Sequence, residues 1–170
     1  MTKTKLPLLL LFTSYFLIAS GCTTTVYSEL PGSDNYVEAI EFEPNPEAAT
    51  VYVYRLGGDY SYVAHELSIN DQPIPTLAFS FVWLELPPGE HHLEAPSTST
   101  FGSTGEVTEN FEAGKVYYYE MAFNNRILIP DKTELIQRDP KKAKKIIKNE
   151  LSLISMDNHN LNRDGTLKTP

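Results

Sequence analysis

The residue types best suited to metal or acid–base chemistry stand together where the sequence reads Glu90-His91-His92-Leu93-Glu94. Imidazole and carboxylate groups are common metal ligands and proton carriers. In a β-strand, however, neighbouring side chains point to opposite faces, so Glu90, His92 and Glu94 share one face and His91 takes the other. At most one histidine and two carboxylates then converge, which favours a structural or surface role and predicts no metal site.

The sequence also lacks the usual signatures of a catalytic nucleophile or a phosphate-binding loop. No serine stands in a Gly-x-Ser-x-Gly pattern, and neither Gly57-Gly58 nor Gly102-Ser103-Thr104-Gly105 is followed by the lysine and helix that cradle phosphate. His65 and Glu66 would point to opposite faces of a strand. We therefore expect no enzyme, no catalytic residue and no cofactor.

The one cysteine stands at the end of a signal-like leader. Lys3 and Lys5 precede an apolar run from Leu6 to Ile18, which suits a signal peptide and is short for a membrane span. Small residues at 19–21 then lead directly to Cys22. A secreted protein with an incidental cysteine and an uncleaved anchor are the alternatives that this pattern leaves open.

The segment Ala19-Ser20-Gly21-Cys22 resembles the lipobox of bacterial lipoproteins, although Ala19 stands where that motif most often has leucine. The resemblance implies cleavage before Cys22 and attachment of diacylglycerol and a further acyl chain such as palmitate, and two or more chains anchor a protein stably. It also implies a place in the bacterial cell envelope. Thr23 in the second mature position favours the outer membrane by the rule of that family.

Composition excludes several classes of protein. The formal charge is −8, and loss of Lys3 and Lys5 with the leader leaves 12 basic against 22 acidic residues. Phosphate would repel such a domain, so nucleic acid is not an expected partner. A single cysteine permits neither an internal disulfide nor a cysteine zinc site.

Breakers and polar stretches divide the chain into four parts. Residues 1–21 are the leader, and the acidic, proline-containing residues 22–48 are predicted to be an acylated flexible tether with a short extended piece at Tyr36–Phe42. Residues 49–153 are predicted to form one folded domain. The polar, aperiodic residues 154–170 are predicted to be a disordered tail.

The folded part is predicted to be all-β, an antiparallel β-sandwich of about seven to eight strands with one C-terminal amphipathic helix. Strands rich in β-branched and aromatic residues alternate with turn residues. Pro73 and Pro75 place one strand at a sheet edge. Pro87-Pro88-Gly89 is predicted to make an antiparallel hairpin, and Asn124-Asn125 a turn. The predicted strands cover residues 50–56, 62–69, 73–77, 81–86, 90–95, 105–111, 116–123 and 126–129, and residues 134–136 are an optional further short strand.

The helix is predicted to begin at Asp139-Pro140, an N-cap residue followed by proline in the first turn. Apolar residues at 143, 146, 147 and 151 share one face at helical spacing. The basic residues Lys141, Lys145 and Lys148 share the opposite face. They are either a solvated surface or a binding site for anionic lipid headgroups or an acidic partner.

Four strings together resemble a bacterial lipoprotein family that is catalogued as a domain of unknown function. They are residues 49–55, 69–74, 87–91 and 113–118, and the resemblance covers about residues 49–153. It implies a lipobox, one β-sandwich and a C-terminal helix, and it brings no catalytic residues.

Aromatic side chains are the remaining functional lead, since exposed rings with polar tips bind sugars and protein surfaces. Two functions follow. The leading one is a lipid-anchored, non-catalytic binding or accessory module for another envelope protein. The alternative is a glycan- or peptidoglycan-binding lipoprotein that uses an exposed tyrosine-rich face. The candidate binding residues are Tyr52, Tyr54, Trp83, Tyr117, Tyr119, Lys141, Lys145 and Lys148, with lipidation at Cys22.

Overall fold

A computed structural model describes residues 25–57, 64–97, 99, 101–126, 129–159 and 161–168. It confirms the all-β sandwich: the described residues form ten strands in two packed sheets, with two α-helices and one 3-10 turn at Asp157–His159. The helices are α1 (Asp34–Ala39) and α2 (Pro140–Glu150). The strands are β1 (Ser28–Glu29), β2 (Ala49–Arg55), β3 (His65–Ile69), β4 (Gln72–Thr76), β5 (Ser80–Leu86), β6 (Gly89–Ala95), β7 (Gly105–Phe111), β8 (Val116–Arg126), β9 (Ile129–Gln137) and β10 (Ser152–Ile154).

The larger sheet has the order β1-β10-β5-β2-β8-β9 and the smaller one β4-β3-β6-β7. Strand β2 is central in the larger sheet, antiparallel to β5 and parallel to β8. Because β10 also runs parallel to β5, the sandwich is not purely antiparallel as predicted, and its described residues form ten strands where about seven to eight were predicted. Every residue of β2 is buried, which explains why the strand is mostly apolar and aromatic between Ala49 and Tyr54. The edge position predicted from Pro73 and Pro75 is confirmed in β4.

Two predicted turns are wrong. Residues Pro87 and Pro88 carry the chain from β5 in one sheet to β6 in the other, so these strands do not form a hairpin. Prolines break a ladder in the same way at a hairpin and at a corner between sheets, and sequence alone does not separate the two. Asn124-Asn125 does not end a strand either, because β8 continues to Arg126 with an irregular register.

The two surfaces of the larger sheet are both covered. One packs on the smaller sheet around side chains such as Val51, Leu84 and Leu93, which are fully buried. The other lies under α1 and α2 and forms a second apolar cluster with them. The buried residues of this cluster are Tyr36, Ala39, Phe42, Tyr52, Tyr54, Phe81, Trp83, Tyr118, Ala143, Ile147, Leu151 and Leu153.

The chain ends differ from the flexible tether and the disordered tail predicted for them. Residues 25–48 supply β1, α1 and the buried ring of Phe42, and α1 replaces the extended piece predicted at Tyr36–Phe42. Residues after 151 supply β10, which pairs with β5 and β1, and the buried side chain of Leu161. Both segments are short and polar on average, so their few buried apolar residues gave no periodic signal.

Candidate functional site

The predicted lipidation site, Cys22, lies outside the described residues. The chain is first described at Thr25, and it enters the sheet almost at once. Strand β1 pairs with β10 at Ser28 and Ile154. The backbone N–H of Tyr27 donates to Nε2 of His159 at 3.0 Å, and its carbonyl accepts from the N–H of Ser155 at 3.0 Å. The segment that follows Cys22 is therefore held by the domain from residue 27 onward.

Three of the predicted binding rings lie beneath the helices and not on the surface. Tyr52 and Tyr54 are each 1% exposed, and Trp83 is 6% exposed. The Tyr52 hydroxyl donates to the carbonyl of Ala39 in α1 at 2.8 Å, and its ring stacks on Tyr118 with centroids 5.2 Å apart. Burial raises the pKa of Tyr52 and raises that of Tyr54 to about 12. These rings join the helices to the sheet.

The other two predicted rings face the smaller sheet. The hydroxyl of Tyr117 accepts from the N–H of Glu112 at 3.1 Å, and Tyr119 donates to the carboxylate of Glu109. Both rings meet Phe111 edge-on. Burial, then the bond to Glu109, raises the pKa of Tyr119. The prediction of an exposed aromatic face is therefore wrong for all five rings, because strand alternation buries one set in the sandwich and helices cover the other.

The lysine prediction is different, because the structure does place these side chains on the surface. Asp139 caps α2 by accepting from the N–H of Lys142 at 3.0 Å. Ala143 and Ile147 are buried against the sheet, and Lys141, Lys145 and Lys148 are exposed. None of these three ammonium groups forms an ion pair within the part of the chain that the structure describes. We call this set the lysine row.

A cleft that sequence reasoning missed lies between the two chain ends. Its volume is about 240 Å³, and it is lined by Glu29 and Asn35 on one side and Asp157 and Arg163 on the other, with Trp83 among its lining residues. The guanidinium of Arg163 lies over Trp83 and pairs with Glu38. Residue 163 sits in an Asn-Arg-Asp-Gly stretch that carries turn residues only, so no pattern marked it.

A buried imidazole was also missed. His65 is 4% exposed, and its ring centroid lies 4.3 Å from that of Phe123. Its two ring nitrogens have no hydrogen-bond partner among the residues that the structure describes. Burial, together with the positive charge of Arg55, lowers the pKa of His65 to about 4. Arg55 itself is 3% exposed, lies with Cζ 4.9 Å from the Phe123 centroid, and has its pKa lowered by burial to about 10.

The histidine pair at 91–92 serves the fold locally. His91 bonds through Nε2 to the carbonyl of Pro87 at 2.8 Å and through Nδ1 to the amide of Asn70 at 2.8 Å. His92 bonds to Thr108 at 3.0 Å across the β6–β7 pair. Among the residues that the structure describes, no group of three or more His, Cys, Asp and Glu could hold a metal ion.

No family model matches the chain, and no curated protein matches it. The resemblance to the lipoprotein family therefore stays a prediction. Within the described ranges, no helix is both long enough and apolar enough to cross a membrane.

Proposed function

We propose that the protein is a lipid-anchored component of the bacterial cell envelope that binds another envelope protein and performs no chemistry of its own. Lipid on Cys22 holds it to a membrane. Thr23, the residue after the cysteine, favours the outer membrane by the rule of bacterial lipoproteins. The observation that supports a binding role best is the lysine row: three exposed cations on one helix of an acidic chain, with no ion pair to any residue that the structure describes.

The helix that carries the lysine row is fixed to the sheet. Its Ile147 and Ala143 are fully buried, and the Tyr36 hydroxyl of α1 donates to the carbonyl of Lys148 at 3.3 Å. A charged surface on a rigid helix loses little backbone entropy when a partner binds, so less of the electrostatic attraction to the partner is offset by ordering. The expected partner surface is acidic.

The glycan-binding alternative required an exposed aromatic surface, and the rings assigned to that surface are buried. A sugar stacks on an accessible ring face, and none of the five rings offers one. We therefore propose protein binding and not glycan binding.

A photo-crosslinking amino acid in place of Lys145 tests the proposal in living cells. The matched control carries the same amino acid in place of Glu66, an exposed residue of β3 in the other sheet. We expect one envelope protein to be captured from position 145 and not from position 66. Capture should be lost when Cys22→Ser removes the anchor. Identical adducts from both positions, or adducts to lipid alone at position 145, would contradict a protein partner.

The anchor is tested separately by growing cells with radioactive palmitate. We expect label in the native protein and none in Cys22→Ser. Label that persists in Cys22→Ser, or a native protein without label, would refute lipidation at this cysteine.

A further inference from the structure

The exposed large apolar side chains of the described residues are not scattered evenly. Two of them lie where β1 ends and β5 begins in the larger sheet: Leu30 is 76% exposed and Phe79 is 52% exposed. Single exposed apolar residues need no explanation, but neighbouring ones mark an interaction surface. Together with the exposed Pro31 we call them the apolar edge.

Strand register shows that the members of this edge are neighbours. Glu29 of β1 pairs with Leu153 of β10, so Leu30 falls beside Ser152. Ser152 in turn donates its N–H to the carbonyl of Phe79 at 3.0 Å. Pro31 and Phe79 also line the same depression of about 430 Å³, together with Lys148 at the end of α2. The edge is therefore continuous from β1 to the turn before β5.

Phe79 keeps its exposed position at a conformational cost. Its φ is +55°, in a region that bulky residues rarely adopt. The Ser80 hydroxyl holds the turn by accepting from the N–H of Leu77 at 3.1 Å and donating to the carbonyl of Leu77 at 2.7 Å. The tip of the ring packs on Gly57, where an added Cβ would lie 2.2 Å from the Phe79 Cζ atom. Strain of this kind at an exposed aromatic residue points to a function for the side chain.

Glu29 and Glu150 are acidic residues near this edge, and Glu29 is engaged in the fold. Glu29 accepts from the Ser33 hydroxyl at 2.8 Å and from the Asn35 amide at 3.0 Å, at the start of α1. Lys148 and Glu150, both exposed near the end of α2, line the depression on its α2 side. An apolar edge flanked by exposed charged residues matches the boundary between headgroups and acyl chains.

The length of chain between the edge and the anchor decides what covers it. Cys22 and Thr25 are three residues apart, and three steps of about 3.8 Å span no more than about 11 Å. Tyr27, where the first bonds to the domain are made, follows two residues later, so the whole connection from Cys22 to the domain spans at most about 18 Å. A headgroup layer is itself about 5–7 Å thick. An acyl group on Cys22 therefore keeps β1 close to the bilayer surface, and the domain cannot swing away on a long tether.

We propose that the apolar edge rests on the bilayer that anchors the protein, with Leu30 and Phe79 dipping between the lipid headgroups. This inference depends on the proposed lipidation of Cys22. The domain then has a fixed orientation relative to the membrane, with its β1 edge facing lipid, and does not move freely on a flexible tether.

Accessibility of single introduced cysteines to a membrane-impermeant maleimide tests the contact, because acylation blocks Cys22. The variants are Leu30→Cys and Phe79→Cys. The matched control is Phe101→Cys, at a residue 83% exposed in the β6–β7 connection. That connection bridges to Lys132 of β9, at the opposite edge of the larger sheet. Each acylated protein is purified and placed in lipid vesicles that contain no other protein.

We expect labelling at positions 30 and 79 to be slower in vesicles than in detergent by about tenfold or more, as for groups in the headgroup layer, and labelling at 101 to be unchanged. Equal rates in vesicles and detergent at position 30, in protein that carries palmitate, would overturn the contact and leave the anchor standing. Protection seen only in native envelopes would assign the edge to a protein partner instead. Absence of palmitate would refute the anchor and the contact together. If Phe79→Cys fails to fold, Leu30→Cys decides alone.

Discussion

The guanidinium of Arg163 lies over the indole of Trp83, with its Cζ atom 3.7 Å from the ring centroid. The same group donates to both carboxylate oxygens of Glu38 at 3.2 and 3.0 Å, and the Arg163 carbonyl accepts from the N–H of Glu85 at 2.9 Å. One residue near the end of the chain thus joins α1 to β5 and covers the indole.

Replacing Arg163 with Gln should lower the free energy of unfolding by about 1–2 kcal/mol. Most of this comes from the cation–π contact, since partly exposed ion pairs contribute little. Trp83 is the only tryptophan, so its fluorescence should become more sensitive to acrylamide. Lys115→Gln is the control, because it removes an ion pair with Glu112 in which both side chains are more than half exposed, and it should change stability very little. Equal losses in both variants would contradict a special role for residue 163.

The stacked pair Tyr52 and Tyr118 allows a cleaner comparison. The Tyr52 hydroxyl donates to the carbonyl of Ala39, whereas the buried Tyr118 hydroxyl has no hydrogen-bond partner within the described part of the chain. Tyr52→Phe should therefore cost about 1–2 kcal/mol, and Tyr118→Phe should be neutral or stabilising. Urea unfolding of the two variants measures this. A larger loss in Tyr118→Phe than in Tyr52→Phe would show that α1 is not held through residue 52.

These two sites show what the sequence could and could not predict. The strand run 49–55 and the capped helix at Asp139-Pro140 carry strong local signals, and both are found. Which face of a strand is covered is not a local property. Alternation placed Tyr52 and Tyr54 together, but only the position of α1 and α2 decides whether that face meets water.

The chain ends were mispredicted for a related reason. Segments of two or three residues, such as β1 and β10, form only because a partner edge is already present. Arg163 likewise gains its role from Trp83, eighty positions earlier in the chain. Interactions over such separations leave no periodic pattern in one sequence.

The close approach of β7 and β9 gives a third prediction. A Cβ on Gly105 would lie 2.8 Å from the Thr133 carbonyl oxygen and 2.9 Å from the Leu135 nitrogen, both backbone atoms. Gly105→Ala should therefore force the strands apart and cost about 1–3 kcal/mol, as overpacking does. Glu106→Ala, at the exposed neighbouring position, should change the thermal midpoint much less. Equal midpoints for the two variants would mean that the strands separate freely.

His65 predicts how stability depends on pH. Its pKa is lowered to about 4 by burial and by Arg55, from about 6.5 in the unfolded chain. Between these values the unfolded state binds more protons, so the neutral imidazole stabilises the fold fully above pH about 6.5 and this stability is lost as pH falls toward 4. The loss should be on the order of 1–3 kcal/mol. Burial also lowers the pKa of His159, which adds a smaller change of the same sign.

The matched variant is His65→Phe, which keeps an aromatic ring beside Phe123 and cannot be protonated. The difference in unfolding free energy between the native protein and His65→Phe should shift by that amount between pH 7 and pH 4, with the variant gaining relative stability in acid. Carboxylates and His159 titrate alike in both proteins, so the difference isolates residue 65. A difference that does not change with pH would show that the imidazole is protonated in the folded protein without cost, and that the His65 ring is hydrated.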